Sequence, residues 1–197
     1  MRSNIKLRRK EKMKRSMVIT ALLFGLLLGN TVFAGDFILK SPQLQQGKQL
    51  NAEQVFSGFG CTGKNISPAL YWEAAPKNTK SFAVTVYDPD APTGSGWWHW
   101  IIFNIPANVT SLAKNAGEPA AGLAPRGSIQ SKTDFGKPGY GGACPPQGDK
   151  PHRYQFTIYA LDIEKLPLDD NTSGAMVGFN LNQHVLAKST ITVYYAR

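Results

Sequence analysis

Short runs of β-branched and aromatic residues alternate with clusters of proline, glycine and aspartate along most of the chain. The clearest runs are residues 81–87, 97–105, 154–161 and 189–195, and the first stops at the turn-forming segment 88–92. Strand-forming composition bounded by turn residues predicts β-strands. Because these runs are apolar on both faces, they predict a sheet that is covered on each side, as in a β-sandwich.

Only one region favours helix. Residues 168–188 predict one or two short helices, with Asp170, Asn171 or Thr172 as N-cap candidate. Residues 122–152, by contrast, are rich in glycine and proline and predict a long loop. A loop of this length in a compact domain is usually functional. We therefore expect a mainly β domain with one long loop packed over a site.

The N-terminal segment has a different character. Residues 1–16 carry eight basic residues and one acid, residues 17–28 form a twelve-residue run that is almost entirely apolar, and small residues lead to Ala34. This order is typical of a secretory signal peptide, cleaved here after Ala34. The alternative is a membrane anchor, but a spanning helix needs about 20 mostly apolar residues. We expect residues 1–34 to be a signal peptide and residues 35–197 to be an exported domain with no transmembrane anchor after processing.

Export changes the charge of the working protein. The full chain has 22 Lys and Arg against 13 Asp and Glu, a net charge of +9. Residues 35–197 keep 14 of the bases and 12 of the acids, a net charge of +2 with no basic stripe. The sequence therefore predicts no nucleic-acid partner. The translation start among Met1, Met13 and Met17 stays open.

The two cysteines, Cys61 and Cys144, both lie in glycine-rich segments. In an oxidising compartment such a pair is usually bridged, and the bridge would pin the long loop to residues 58–60. The alternative is a pair of buried free thiols, in which case Cys144 is a candidate reactive group.

Three polar residues lie at the ends of predicted strands. Asp88 ends the first, His99 opens the second and His152 precedes the third, each in phase with bulky apolar neighbours. An imidazole donates hydrogen bonds to an anion while a carboxylate orients its ring, so the set suits an anion site. As alternatives, Asp88 is a turn residue bonded to its own backbone and His99 is a core histidine. Arg153 could add positive charge nearby, although strand phase points it away from His152.

The sequence around these residues resembles the phosphatidylethanolamine-binding protein (PEBP) family. Residues 88–92 followed by 97–106 resemble its first signature, and residues 139–154 resemble its second. Residues 63–72 and 184–187 are similar to the bacterial branch, often labelled Raf-kinase-inhibitor-like proteins.

The resemblance covers residues 37–197 and implies a β-sandwich of one large and one small antiparallel sheet with short C-terminal helices. It also implies a pocket for phosphate-like anions and phospholipid headgroups. Carried over by position, the pocket wall comprises Asp88, His99, Ala143, Cys144, Pro146, His152 and Tyr154. Cys144 stands where many relatives have glycine, so a side chain there narrows the pocket or ties its wall to Cys61, and headgroup preference is not carried over.

These features predict a periplasmic small-ligand binding or regulatory protein without cofactor or metal. One alternative is a hydrolase in which His99 or His152 acts as a general base oriented by Asp88, although Cys144 is the only candidate nucleophile. Another is a zinc site made by Asp88 and the two histidines. These residues lack the close i, i+2 or i, i+4 sequence spacing by which zinc ligands are usually recognised. The third is inhibition of a protein partner; an exported protein does not meet a cytosolic kinase in its own cell, so the kinase-inhibitor label is not transferred.

Overall fold

The computed structural model describes residues 36–197, and the predicted signal peptide with its cleavage site lies outside the described residues. The elements in chain order are β1 (Ile38–Lys40), β2 (Ser57–Gly58), β3 (Cys61–Thr62), β4 (Leu70–Glu73), β5 (Ser81–Asp88), β6 (Trp97–Pro106), β7 (Ser111–Leu112), β8 (Ile129–Gln130), β9 (His152–Leu161), α1 (Gly174–His184) and β10 (Val185–Tyr195). Two single-turn 3-10 helices lie at Ala52–Gln54 and Pro119–Ala121.

The long apolar runs pair into one antiparallel sheet of five strands, in the order β10-β9-β5-β6-β8. Strand β5 lies between β6 and β9 and is antiparallel to both, so its C-terminal end lies beside their N-terminal ends. Asp88 pairs with Trp97, and Tyr87 pairs with Gln155. The topology therefore brings the polar ends of three strands together at one end of the sheet.

Both faces of this sheet are covered, which explains strands that are apolar on both sides. One face packs on the small antiparallel sheet β1-β4-β7 through residues such as Trp72, Phe82 and Trp100. The other packs on α1, where Val177 and Leu181 are buried. Each such side chain contributes roughly 1.5–3 kcal/mol when fully buried. The predicted mainly β sandwich with a large and a small sheet is confirmed.

The C-terminal part differs from its prediction in detail. A single α-helix lies in residues 168–188 of the described chain, and its N-cap is Ser173, whose hydroxyl accepts a hydrogen bond from the Met176 amide at 3.4 Å. The candidates Asp170, Asn171 and Thr172 are wrong because they form a separate turn.

In that turn, the Asp169 side chain accepts hydrogen bonds from the Asn171 amide and from the Thr172 hydroxyl. The helix also ends earlier than residue 188, because Val185 already pairs with Leu161 in the large sheet. None of the helices in residues 36–197 has both the length and the apolar character of a membrane-spanning segment.

A disulfide joins Cys61 to Cys144, with their Cα atoms 6.0 Å apart. It ties the β2–β3 hairpin to the long loop between β8 and β9. The predicted pairing is confirmed, and the alternative of two free thiols is wrong.

We predict that this bridge is a major source of stability. It closes a loop of 83 residues, for which the chain-entropy argument gives about 4–5 kcal/mol, with measured values often lower. The Cys61→Ala/Cys144→Ala double variant should unfold at a clearly lower urea concentration than the wild type. Unfolded, non-reduced wild type should show no titratable thiol, and two thiols per chain would contradict the account.

Candidate functional site

A cavity of about 180 Å³ lies at the end of the large sheet, where β5 ends and β6 and β9 begin. Six of the seven predicted pocket residues line it, namely Asp88, His99, Cys144, Pro146, His152 and Tyr154. The other lining residues are Phe59, Ala91, Pro92, Thr93, Trp97, Phe135 and Pro145. The sequence therefore predicted the ionisable residues of the wall, but not Thr93 or most of the apolar residues.

Ala143 is the predicted pocket residue that does not line the cavity. It is buried behind the wall, where its amide donates to the Gln54 carbonyl at 3.3 Å and its carbonyl accepts from the Phe56 amide at 3.0 Å. Its position supports the wall from behind.

Asp88 and His152 form a buried pair. The Asp88 Oδ2 atom accepts a hydrogen bond from His152 Nδ1 at 2.8 Å, and the two side chains are 3% and 5% exposed. The other carboxylate oxygen of Asp88 accepts from the Asp90 amide at 2.8 Å. Asp88 therefore fills both roles considered from the sequence, because one oxygen closes its own turn and the other fixes the His152 ring.

His99 is held in one tautomer. Its Nδ1 lies 2.7 Å from the Gly141 carbonyl oxygen, which can only accept, so Nδ1 carries the proton. Burial lowers the pKa of His99, against the opposing effects of the Gly141 carbonyl and the Asp88 charge. The neutral ring then has its lone pair at Nε2.

Tyr154 supplies the complementary donor. Its ring lies edge-on to His99 with the centroids 5.1 Å apart, and its buried hydroxyl has no hydrogen-bond partner within residues 36–197. Burial, with a smaller effect of the Asp88 carboxylate, raises the pKa of Tyr154 far above its usual value. The hydroxyl therefore keeps its proton and can act as a hydrogen-bond donor.

Arg153 lies outside the cavity, as strand phase predicted. Its guanidinium binds both carboxylate oxygens of Asp90 at 2.8 and 2.6 Å, and its amide donates to the same carboxylate. The Arg153 hydrogen bonds lower the pKa of Asp90. Sequence reasoning missed this pair, which fixes the loop after β5 against β9. The cavity lining itself contains no lysine or arginine.

Asn65 was also missed, although it positions His99. Its side chain accepts from the Gly142 amide at 2.7 Å and donates to the Tyr140 carbonyl at 3.1 Å. These bonds hold the segment whose Gly141 carbonyl fixes the His99 tautomer. A side chain at Gly142 would lie 2.3 Å from the Gln54 carbonyl oxygen, so only glycine fits there.

The mouth of the cavity is aromatic. Phe135 contacts the rings of His99, Trp97 and Phe59, with centroid separations of 5.4, 5.5 and 6.0 Å. Phe135 belongs to the predicted functional loop but was not singled out. The available signal was an aromatic residue within a glycine- and proline-rich segment.

The zinc alternative gains no support in the described region. Residues 36–197 contain no group of three His, Cys, Asp or Glu side chains arranged to hold a metal ion.

Comparison with known proteins places the chain in a family. Residues 40–196 match the family described as phosphatidylethanolamine-binding protein. The chain is 52% identical over 183 residues to UPF0098 protein YbcL of Escherichia coli K12, covering 93% of this chain and 98% of that protein. UPF0098 protein YbhB of the same organism is 51% identical over 158 residues, with coverages of 80% and 99%.

Solved structures agree. The crystal structure of E. coli YbcL, described as a new member of the mammalian PEBP family, matches with a TM-score of 0.81 and 55% identity, covering 82% of this chain and 99% of that one. A putative PEBP homolog from Chlamydia trachomatis, CT736, matches with a TM-score of 0.68 and 27% identity, with coverages of 82% and 98%. The protein belongs to the phosphatidylethanolamine-binding protein family. Within that family it is similar to the bacterial proteins YbcL and YbhB.

We predict that neutral, buried His99 makes stability depend on pH. The pKa of His99 is lower in the folded chain than in the unfolded chain, so the unfolded chain binds more protons below about pH 6.5 and stability falls with falling pH. The wild type should lose more stability between about pH 7 and about pH 5.5 than the His99→Gln variant does. Urea unfolding at both pH values measures this, and equal losses in the two proteins would contradict a neutral His99.

Proposed function

We propose that this protein is a periplasmic binding protein for a small anion of the phosphoryl type, such as phosphate or a phospholipid headgroup. The observation that carries the proposal is the buried Tyr154 hydroxyl, an unpartnered donor on the same cavity as His99 and the Asp88–His152 pair. A buried polar group without a partner is costly, and a bound anion would satisfy it.

The size of the cavity limits the ligand. About 180 Å³ is below the roughly 300–1,000 Å³ of pockets for drug-sized molecules. A headgroup-sized ligand fits, and the acyl chains of an intact lipid would have to remain outside.

The protonation states of Tyr154 and His99 determine which protonation state of the anion is bound. Tyr154 donates, while neutral His99 accepts at Nε2, so phosphate or a phosphate monoester with one remaining proton matches both residues. A phosphodiester has no such proton at neutral pH and can accept only from Tyr154. A fully ionised phosphoryl group would meet the Asp88 carboxylate without a lysine or arginine in the lining, and an uncompensated buried charge is strongly unfavourable. We therefore expect the singly protonated form to bind.

The state of Cys144 disfavours a hydrolase that uses a cysteine nucleophile. Covalent catalysis would need such a nucleophile beside the histidines, and a thiolate is the reactive form of cysteine. The sulfur of Cys144 is bonded to Cys61, so no thiolate is available there. Inhibition of a protein partner stays an alternative outside the chemistry of this cavity.

We predict that both histidines contribute to binding. His99→Ala removes the acceptor and His152→Ala removes the partner of Asp88, and losing a hydrogen bond to a charged group costs about 1–3 kcal/mol. Each variant should bind phosphoethanolamine about 5- to 150-fold more weakly in calorimetric titration. His184→Ala is the matched control, because His184 pairs with Asp162 at the far end of the sheet, and its affinity should be unchanged.

Asp88→Asn separates two roles of the carboxylate. Because Asp88 accepts from His152 Nδ1, we expect the variant to bind more weakly through loss of ring orientation. Stronger binding would show that the carboxylate mainly repels the ligand. Unchanged affinity in both histidine variants would refute the proposal, and steady ester turnover that vanishes in them would replace it with the hydrolase.

We predict export with cleavage after Ala34. The basic and apolar segments of residues 1–34 are typical of a signal peptide, and a disulfide is stable in an oxidising compartment. N-terminal sequencing of the osmotic-shock fraction should begin at Gly35. Recovery of the uncleaved chain in the cytosol would contradict the periplasmic assignment.

A further inference from the structure

Phe59 lies at the tip of the β2–β3 hairpin and lines the cavity. It is 68% exposed, the largest exposed fraction among the large hydrophobic side chains of the described chain. Its backbone has φ +52°, and Gly60 follows with φ +81°. Two consecutive positive values in a two-residue hairpin loop define a type I′ turn.

This placement is unfavourable for folding. The first central position of a type I′ turn prefers asparagine, aspartate or glycine, and a bulky residue with positive φ is a strained outlier. Strained residues persist where the surrounding structure holds them in place, and they cluster at ligand sites. Both the backbone strain and the exposure of Phe59 therefore indicate a functional role.

The surroundings hold the turn firmly. The disulfide fixes Cys61, two residues after Phe59, to Cys144 in the wall formed by the long loop. Arg197 donates to the Phe59 carbonyl at 3.1 Å and to the Pro145 carbonyl at 2.6 Å, so it joins the turn to the same wall. The Phe59 ring is thus a fixed part of the cavity mouth.

The ring continues an aromatic wall. It lies parallel to Phe135, with centroids 6.0 Å apart and planes 10° apart, and Phe135 in turn contacts His99. The polar atoms of the cavity therefore lie directly beside its aromatic residues. A ligand that uses both must carry an apolar group directly next to its anionic group.

We propose that Phe59 is a specificity-determining residue that selects phosphoryl ligands bearing an apolar ring or short apolar chain on the ester oxygen. The inference rests on the proposed function, since the anionic group is held by Tyr154 and His99. The apolar substituent lies against Phe59 and Phe135, which shields these rings from water. Phosphoryl esters with small polar substituents gain nothing from this wall.

The test compares methyl phosphate with phenyl phosphate, which share the phosphoryl group and differ in the apolar ring. Wild type should bind phenyl phosphate about 3- to 10-fold more tightly, the size of an aromatic contact. Phe59→Asn removes the ring and places the preferred Asn-Gly pair in the turn. This variant should lose much of the preference, measured as the ratio of its affinities for the two esters.

Phe179→Asn is the matched control, because Phe179 is 62% exposed and lies on α1, away from the cavity. It should keep the preference for phenyl phosphate. Thermal unfolding of both variants adds a readout that needs no ligand. Phe59→Asn should have an unchanged or higher Tm, because the strain is removed.

Each other outcome overturns the inference. A phenyl preference that is undiminished in Phe59→Asn, or equal binding of the two esters by wild type, refutes the role of Phe59 and leaves the proposed function intact. A Tm lowered more by Phe59→Asn than by Phe179→Asn shows that the ring is retained for packing. Failure of wild type to bind either ester refutes the proposed function as well.

Discussion

The hydrogen bond between the buried side chains of Asp88 and His152 joins the end of β5 to the start of β9. A buried carboxylate needs partners to offset its lost hydration, and Asp88 has two, in the His152 ring and the Asp90 amide. On the outer face of β9, the Arg153–Asp90 ion pair holds the same loop. The segment after β5 is therefore held by contacts on both faces of β9. The shape of the cavity depends on these contacts.

The second wall of the cavity comes from the long loop and is fixed by different means. Asn65 holds residues 140–142 through its amide, and the Gly141 carbonyl in turn fixes the tautomer of His99. The disulfide then ties Cys144 to the β2–β3 hairpin. The many glycines give this loop high conformational entropy when unfolded, so these few long-range bonds make a rigid wall from a sequence with little regular secondary structure.

Sequence reasoning succeeded where the signal is local. Strand runs bounded by proline and aspartate revealed the large sheet, and alternation of side chains placed Asp88, His99 and His152 on apolar faces. It failed where two contacting residues are far apart in the sequence. Asn65 lies 77 residues from the Gly142 amide that it binds, and no local sequence pattern indicates such a pair.

The same limit applies to finer features. The cap at Ser173 was missed because its neighbours Asp169 and Thr172 are equally good hydrogen-bonding residues and form a turn of their own. Phe59 was missed because its significance lies in a positive φ and a cavity wall, which need the folded hairpin. The family resemblance supplied the pocket wall by position, except that Ala143 lies behind it.

The central claim is that Asp88, His99, His152 and Tyr154 form one site for a phosphoryl anion. A pair of crystal structures, grown with and without phosphate, tests it most directly. The account predicts new density in the cavity with phosphate oxygens within hydrogen-bond distance, about 2.5–3.2 Å, of the Tyr154 hydroxyl and His99 Nε2. A cavity that holds only water at saturating phosphate, or phosphate bound elsewhere on the protein alone, would contradict it.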